Sequence, residues 1–569
     1  MTVTGLVTAT KAGRAAAGLL ERAWPDTRWY PVADLARAWR ECDRVVCFLA
    51  AGAAVRLLAP LLGDKHTDPG VVCVDEAGRF AIALTGGHDG GANRLAHEAA
   101  SVLGATPVVT TATDATGTGA LDTLGLPVEG DVAAVTRAML DSLSGGLLDG
   151  LPDGEQVTLT ADATWPLPPL PVTPSATPRP PCVVVTDRVV DPPRPAVVVR
   201  PPSLVVGVGA SRGVATGEVL ALIRDTLAEA GLSPRSVARL ATADVKADEA
   251  GIVAAARALG VPLVTHPAGR LAAIEVPHPS EVVRRAVGTP SVAEAAALAD
   301  GGDLVVPKRR SAMATVAVAR LRPRGRLAIV GLGPGARDLM TPRAVAEVRR
   351  CGYLVGLDQY VDQIRDLLRP GTRVIASGLG AEEERARTAV RLAREGHAVA
   401  LVGSGDAGVY AMAAPALELA DETFDVVGVP GVTAMLAAGA LLGAPLGHDH
   451  CAISLSDLHT PWEAIERRVR AAAEADLVVA FYNPRSRGRD WQLPRALEIL
   501  GERRGPDTPA GVVTDASRPG ESVALTTLGG LDVSAVTMRS LVIVGATSSR
   551  AVAGRFVTPR GYAWQPSPM

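Results

Sequence analysis

The chain has 569 residues, 48% of them hydrophobic and 21% charged, with a formal net charge of −3. That length exceeds one ordinary core and implies several domains, while the near-neutral charge without a basic stripe excludes nucleic acid as an expected partner. No apolar stretch reaches the roughly 18–20 residues of a membrane span, and no charged region precedes a long apolar core at the N-terminus, so the expectation is a cytoplasmic chain.

In chain order, RVVCFLA (44–50), VVCVD (71–75) and FAIALTGG (80–87) read as strands, and GANRLAHEAASVLG (91–104) as a helix with a glycine stop. This alternation argues for a parallel sheet covered by helices. His88 and Asp89 fall in the glycine-rich turn before that helix, whose Asn93 and His97 stand four apart and share a face. Ser101 follows His97 at the position where a zinc hydrolase needs its second histidine, which disfavours that class. Between 165 and 202 proline is dense around CVVVTDRVV and AVVV, the pattern of a small module between stiff linkers. A second α/β block opens at SLVVGVGASRGVATGEVLALIRDTLAEAGL (203–232) and closes at DLVVPKRRSAMATVAVARL (303–321), and RPRGR (322–326) marks a basic hinge. The six cysteines contain no C-x-x-C pair, so no disulfide scaffold, structural zinc or other resident metal is expected, and the thiols read as buried apolar groups.

The rear segment begins with GRLAIVGLGPGARDLMTPRA (325–344). Gly331, Gly333 and Ala336 fit the G-x-G-x-x-A fingerprint of dinucleotide binding, with Asp358 as a ribose ligand, but a lone fingerprint is a weak signal. A competing pattern has four parts in order: Gly331-Leu332-Gly333-Pro334-Gly335, Asp338-Leu339-Met340-Thr341, GSGDAGVY (403–410) and PGVTA (430–434). From Leu327 onward this resembles the tetrapyrrole methylase family, a two-lobed α/β fold that binds S-adenosylmethionine between its lobes. GHDHCAISLSDLHTPWEAIERR (447–468) and FYNPRSRGRDWQL (481–493) are similar to the branch that methylates C17 of precorrin-3B and contracts the ring.

The resemblance implies a donor pocket lined by Leu332, Gly333, Pro334, Gly403, Asp406, Val409, Tyr410, Thr433 and Ala434, completed from the rear lobe by Tyr482 and Asn483. Glycines suit such a pocket because they let backbone groups approach a ligand closely. The plainer reading of Asp406 is a helix N-cap, which can serve beside the binding role, and Asp338 either caps the helix that follows it or handles a proton. A carboxylate-rich macrocycle calls for cations, for which Arg485, Arg487 and Arg489 are candidates against the plainer reading of a solvated loop. Ring contraction needs an oxygen polarised, with His448 the first candidate beside Asp449, His450 and His459. The family likeness further implies a homodimer through this segment.

The front carries a second resemblance. LTGGHDGGANRLA (84–96), DVKADEAGI (244–252), EVPHPSEVVRRAVGTPSVAEAAAL (275–298) and VVPKRRSAMATVAVAR (305–320) are similar to the cobalt-precorrin-5A hydrolases. That family opens the δ-lactone left by ring contraction and releases acetaldehyde. It commonly has a cysteine where this chain has Ala210, so no mechanism using that thiol operates here. His88 is the candidate base, with Asp89 beside it, against the plainer reading that the two only cap the helix that follows, while Lys246 and Lys308 are candidate grips on substrate carboxylates, against a solvated loop for Lys308. Lys246 clusters with Asp248 and Glu249, and Lys308 with Arg309 and Arg310.

The expected architecture is α/β and multidomain: hydrolase-like modules at 1–127 and 203–321 flank a proline-rich middle at 128–202, and a methylase at 325–569 has lobes near 325–440 and 446–569. The expected function is bifunctional corrin-ring assembly. One rival makes the front a non-catalytic corrinoid-binding or scaffold module; the other makes the rear a different methylase of the same superfamily.

Overall fold

The computed structural model describes residues 2–64, 67–87, 90–111, 121, 124, 126–144, 156–486 and 488–562. The chain divides into two compact units, Met1–Pro323 with Arg369–Gly371, and Arg324–Leu368 with Thr372–Met569.

In the first unit, β1 (Thr4–Thr8), β2 (Thr27–Pro31), β3 (Arg44–Phe48), β4 (Gly70–Val74), β5 (Phe80–Thr85) and β6 (Thr106–Val108) form a six-stranded sheet in the order 2-1-3-4-5-6. Strands β1 to β4 pair in parallel, as the alternation predicts, but β5 runs antiparallel to β4. The turn at 75–79 is too short for a crossover helix, so the chain can only double back. Asp75 fixes that turn by accepting the N–H groups of Arg79 at 2.7 Å and Phe80 at 2.8 Å.

The middle sheet orders β7 (Val128–Gly130), β8 (Thr158–Ala161), β9 (Thr173–Pro174), β10 (Cys182–Val185) and β11 (Ala196–Val199) as 7-11-10-8-9. Every residue of β10 and β11 is buried, which explains their unbroken apolar runs. The third sheet orders β12 (Leu204–Ala210), β13 (Val237–Ala243), β14 (Leu263–His266), β15 (Asp303–Arg310) and β16 (Ala314–Arg320) as 14-13-12-16-15. Arg320 grips the buried Asp187 with two hydrogen bonds of 2.6 and 2.8 Å, tying this sheet to the middle module.

The second unit opens with a fully parallel sheet. Its strands β17 (Arg326–Gly331), β18 (Tyr353–Leu357), β19 (Arg373–Ser377), β20 (Ala398–Gly403) and β21 (Asp425–Val429) lie in the order 19-18-20-17-21. The chain continues through the helix Ala434–Leu442 and β22 (Gly443–Ala444) into a mixed sheet. There β23 (His450–Ser454), β24 (Val478–Tyr482), β25 (Pro509–Thr514), β26 (Ser522–Thr527) and β27 (Ser540–Val544) take the order 23-24-27-25-26. Strands β28 (Arg550–Val552) and β29 (Arg555–Val557) join β22 in a small third sheet. Ala438 and Leu442 of the linking helix pack with Ala480, Val513 and Ile543, so that helix belongs to the core of the second lobe. Buried Arg504 braces the same lobe by donating to the carbonyls of Gly545, Ala472 and Leu477.

Five of the six cysteines are buried and all are free, in line with their reading as small apolar groups. Among the described residues, no helix is long and apolar enough to cross a membrane, and no group of three potential metal ligands occurs.

Candidate functional site

In the parallel sheet of the second unit, β17 lies between β20 and β21, with Gly331 opposite Gly403 and Val330 opposite Val429. Three turns therefore leave one sheet edge side by side. Because the chain passes from one flank of β17 to the other between β20 and β21, this edge is a topological switch point, where ligands of open α/β sheets bind. The turns pack backbone against backbone: a Cβ on Gly431 would stand 2.1 Å from the Gly405 carbonyl oxygen, and one on Gly331 would stand 2.7 Å from it. Gly333, at φ +77°, exchanges backbone hydrogen bonds of 3.0 and 2.8 Å with Gly405, and the Leu332 N–H donates to Gly403 at 2.8 Å. Leu332, Gly333, Pro334 and Gly403 are all buried.

Asp406 does not cap a helix. The next helix begins at Ala413, and the Asp406 carboxylate instead accepts the Gly408 N–H at 2.8 Å and the Gly431 N–H at 3.0 Å, clamping two of the turns together. Val409 beside it is partly exposed. Asp338 is likewise no cap. Thr341 performs that task by accepting the Ala344 N–H at 3.1 Å, with Pro342 at the first helical position, and Asp338 stays exposed in a short 3₁₀ turn.

The second lobe reaches this cluster through side chains. The Tyr482 hydroxyl lies 2.6 Å from the Thr433 hydroxyl and accepts the Met435 N–H at 3.0 Å, so it serves the N-terminus of the helix that starts at Ala434. The Tyr410 hydroxyl donates to the Ala452 carbonyl at 2.8 Å, and its ring lies 5.2 Å from that of Tyr482. Desolvation is the main cause that raises both phenols above their ordinary range, with Tyr482 partly buried and Tyr410 54% exposed. Asn483, left-handed at φ 48°, donates to Ser454 at 3.1 Å.

One participant escaped the sequence reading. Arg518 donates from Nε to the Pro334 carbonyl at 2.6 Å and from its terminal nitrogen to Ser404 at 2.7 Å, with its guanidinium 5.9 Å from the Tyr360 ring centroid. Gly335 leaves room for it, since a Cβ there would stand 2.4 Å from Arg518 Cγ. A signal existed: DASRPGES (515–522) is another polar cluster at a strand end, following β25.

Other expected residues lie apart from this cluster's hydrogen bonds. Arg485 donates to the backbone carbonyls of Val533 and Ser534, which pins its loop, while Arg489 is buried and Arg487 lies outside the described residues. His448, Asp449, His450 and His459 are exposed, and His448 Nδ1 accepts the Asp449 N–H at 2.7 Å. His459 and Leu458 line one wall of an open cleft of ≈ 570 Å³ whose other wall holds Glu382, Glu383 and Arg387.

In the first unit, His88 and Asp89 lie outside the described residues. Asn93 is buried and donates to Thr111 at 3.1 Å, whereas His97 is exposed, so the two do not form one polar patch. Lys246 sits 3.7 Å from buried Glu249, whose other oxygen accepts the Gly213 N–H at 2.8 Å. Lys308 donates from Nζ to the His278 carbonyl at 2.7 Å. Ala210 ends β12 and is partly exposed.

Comparison with known proteins matches this architecture segment by segment. The family model of tetrapyrrole (corrin/porphyrin) methylases covers residues 326–532. The models of the cobalamin synthesis G C-terminus and N-terminal region cover 204–319 and 33–114. A probable cobalt-factor III C(17)-methyltransferase of Salmonella typhimurium is 46% identical over 239 residues, 42% of this chain and 99% of that protein. A precorrin-3B C(17)-methyltransferase of a Sinorhizobium species is 42% identical over 250 residues, 42% of this chain and 98% of that protein. A cobalt-factor III methyltransferase of Priestia megaterium is 41% identical over 246 residues; the match spans 42% of this chain and only 45% of that relative.

Proposed function

We propose, for a chain that belongs to the tetrapyrrole methylase family and carries both cobalamin synthesis G regions ahead of that segment, a bifunctional enzyme of corrin-ring assembly. Its rear unit methylates C17 of precorrin-3B, or of the cobalt form, from S-adenosylmethionine and contracts the ring. Its front unit opens the cobalt-precorrin-5A δ-lactone and releases acetaldehyde. Any cobalt belongs to the substrate.

The observation that carries the methylase reading is the convergence of three side-chain-poor turns at one sheet edge. The residues present suit the donor: no phosphate cradle is required, Pro334 removes an N–H that a pyrophosphate would want, and the turns offer backbone donors and acceptors to a nucleoside and an amino-acid tail. The donor supplies a methyl group already activated by a sulfonium, so the protein's task is alignment. In this reading Leu332, Gly333, Pro334, Gly403, Asp406, Val409, Tyr410, Thr433 and Ala434 form the donor walls, Tyr482 and Asn483 close them from the second lobe, and Arg518 holds the lobes in register. Asp338 and His448, both solvent-facing, are the proton-handling candidates, while Arg485, Arg487, Lys246 and Lys308 are the candidate carboxylate grips. The assembly in this reading is a homodimer through the rear unit. Tethering the two activities raises their mutual concentration around labile intermediates.

Incubating the full chain with methyl-labelled donor and a panel of tetrapyrroles tests the reading. The label should appear at C17 of precorrin-3B or its cobalt form, with a contracted ring. Transfer to a different macrocycle alone, or to none, would remove the C17 assignment.

A further inference from the structure

The peptide VPHPSE (276–281) is a feature of the front unit to which the proposed function gives no role. Its histidine stands against a carboxylate with no exposed side-chain surface. His278 Nδ1 lies 2.8 Å from Glu294 Oε1, and the Glu294 side chain is 0% exposed while that of His278 is 55% exposed. The His278 N–H reaches Glu294 Oε2 at 3.1 Å, and the Lys308 N–H reaches Oε1 at 3.0 Å. Burial alone would raise the Glu294 carboxyl. The hydrogen bonds from the His278 ring and from the Lys308 and His278 backbone outweigh it and hold the group ionised, below its ordinary range.

The helix carrying Glu294 is fixed on the sheet. A Cβ on Gly207 would stand 1.9 Å from the Ala293 carbonyl oxygen, and one on Gly209 would stand 3.3 Å from Val292 Cβ. That helix, Ala293–Leu298, therefore starts beside the carboxyl-terminal half of β12, the side of an open α/β sheet where ligands bind. Lys308 holds the same peptide from β15, its ammonium 2.7 Å from the His278 carbonyl.

A pair made only to neutralise a buried charge would bury both members. Here the carboxylate is sealed and braced by backbone, and the imidazole projects outward with Nδ1 committed, which leaves Nε2 as the nitrogen turned away from Glu294. A buried carboxylate that fixes the tautomer and direction of an accessible imidazole is the arrangement that makes a general base. We infer that His278 is the catalytic base of the hydrolytic half, with Glu294 as its positioning residue and Lys308 beside it to meet an acid group of the substrate.

This rests on the hydrolase reading above. In the step, a water oxygen bonds to the lactone carbonyl carbon while Nε2 takes the water proton, and the carbonyl electron pair moves onto oxygen. As that pair returns, the ring C–O bond breaks and the leaving oxygen takes the proton back from the imidazolium. Water and lactone become a hydroxy acid; its alcohol then gives up its proton and forms C=O as the bond from that carbon to the macrocycle breaks, the electron pair stays on the macrocycle, and acetaldehyde leaves with no redox partner.

The test measures acetaldehyde release by the full chain from the lactone substrate, with methyl transfer recorded on the same samples. His278→Ala should lower release about 100-fold or more, leave methyl transfer and the melting temperature close to wild type, and regain part of the rate with added imidazole. Glu294→Gln should lower kcat with little change in KM and gain nothing from imidazole, a split that loss of folding would not produce. Release by His278→Ala within threefold of wild type overturns the inference while the hydrolase reading stands, and abolition in His88→Ala alone would move the base to that turn. A wild-type chain that releases no acetaldehyde overturns the hydrolase reading and the base with it.

Discussion

Gly431→Ala should sharply reduce methyl transfer while leaving acetaldehyde release by the front unit unchanged. The added methyl would stand 2.1 Å from the Gly405 carbonyl oxygen and 2.8 Å from backbone atoms of Gly331, and none of these can rotate aside. Relief requires the 430–434 turn to lift away from the other two, which also stretches the 3.0 Å bond from Gly431 N–H to Asp406. Overpacking of this kind costs about 1–3 kcal/mol, equivalent to roughly 5- to 150-fold in an equilibrium constant. The effect should appear in donor affinity and in the melting of the rear unit. Gly428→Ala, three residues earlier on β21, is the matched control: a Cβ there meets no heavy atom within 4 Å, and methyl transfer should stay near wild type. Equal behaviour of the two variants would detach the turn cluster from the activity.

The second large effect is expected at Arg518. Removing its guanidinium leaves the Pro334 carbonyl and Ser404 hydroxyl without their charged donor and unties the first turn from the turn that follows β25 in the second lobe. Hydrogen bonds to charged groups contribute about 1.5–3 kcal/mol each. Arg518→Ala should therefore weaken donor binding by roughly one to two orders of magnitude. Arg518→Lys should rescue little, because a single ammonium on a flexible stem does not reproduce a planar fork reaching two acceptors. Calorimetric donor affinity, measured beside thermal melting, checks this. An Arg518→Ala chain with unaltered affinity would show that the second lobe does not hold the donor turns.

Much of this architecture was legible in the residues, for a physical reason. Runs such as RLAIVG and AVALVG are strands because both faces of a parallel sheet are covered, and the glycine clusters after them mark the edge where backbone must approach backbone. The free, mostly buried cysteines follow from composition and spacing in the same way. The reversal at β5 was lost because alternation of strand and helix implies a crossover, whereas only the length of the 75–79 turn reveals the hairpin. Asp406 and Asp338 each precede a helical pattern, so both look like caps. In the fold the helix after Asp406 is delayed to Ala413, and Thr341 takes the other cap.

Residues whose partners are backbone groups far along the chain were the least legible. Arg518 meets a carbonyl 184 positions away and Arg485 meets carbonyls 48 and 49 positions away, so the polar clusters around them mark a strand end without naming either partner. His278 and Glu294 are only 16 apart, yet the loop and short helix between them conceal that one orients the other.

In the proposed function the turns after β17, β20 and β21 hold one S-adenosylmethionine. Isothermal titration of S-adenosylmethionine, and separately of a nicotinamide dinucleotide, into the full chain tests it most directly. The expected result is saturable uptake of one sulfonium donor per chain, weakened in Gly431→Ala, and no heat from the dinucleotide. Uptake of the dinucleotide by a well-folded chain that ignores the sulfonium would contradict it.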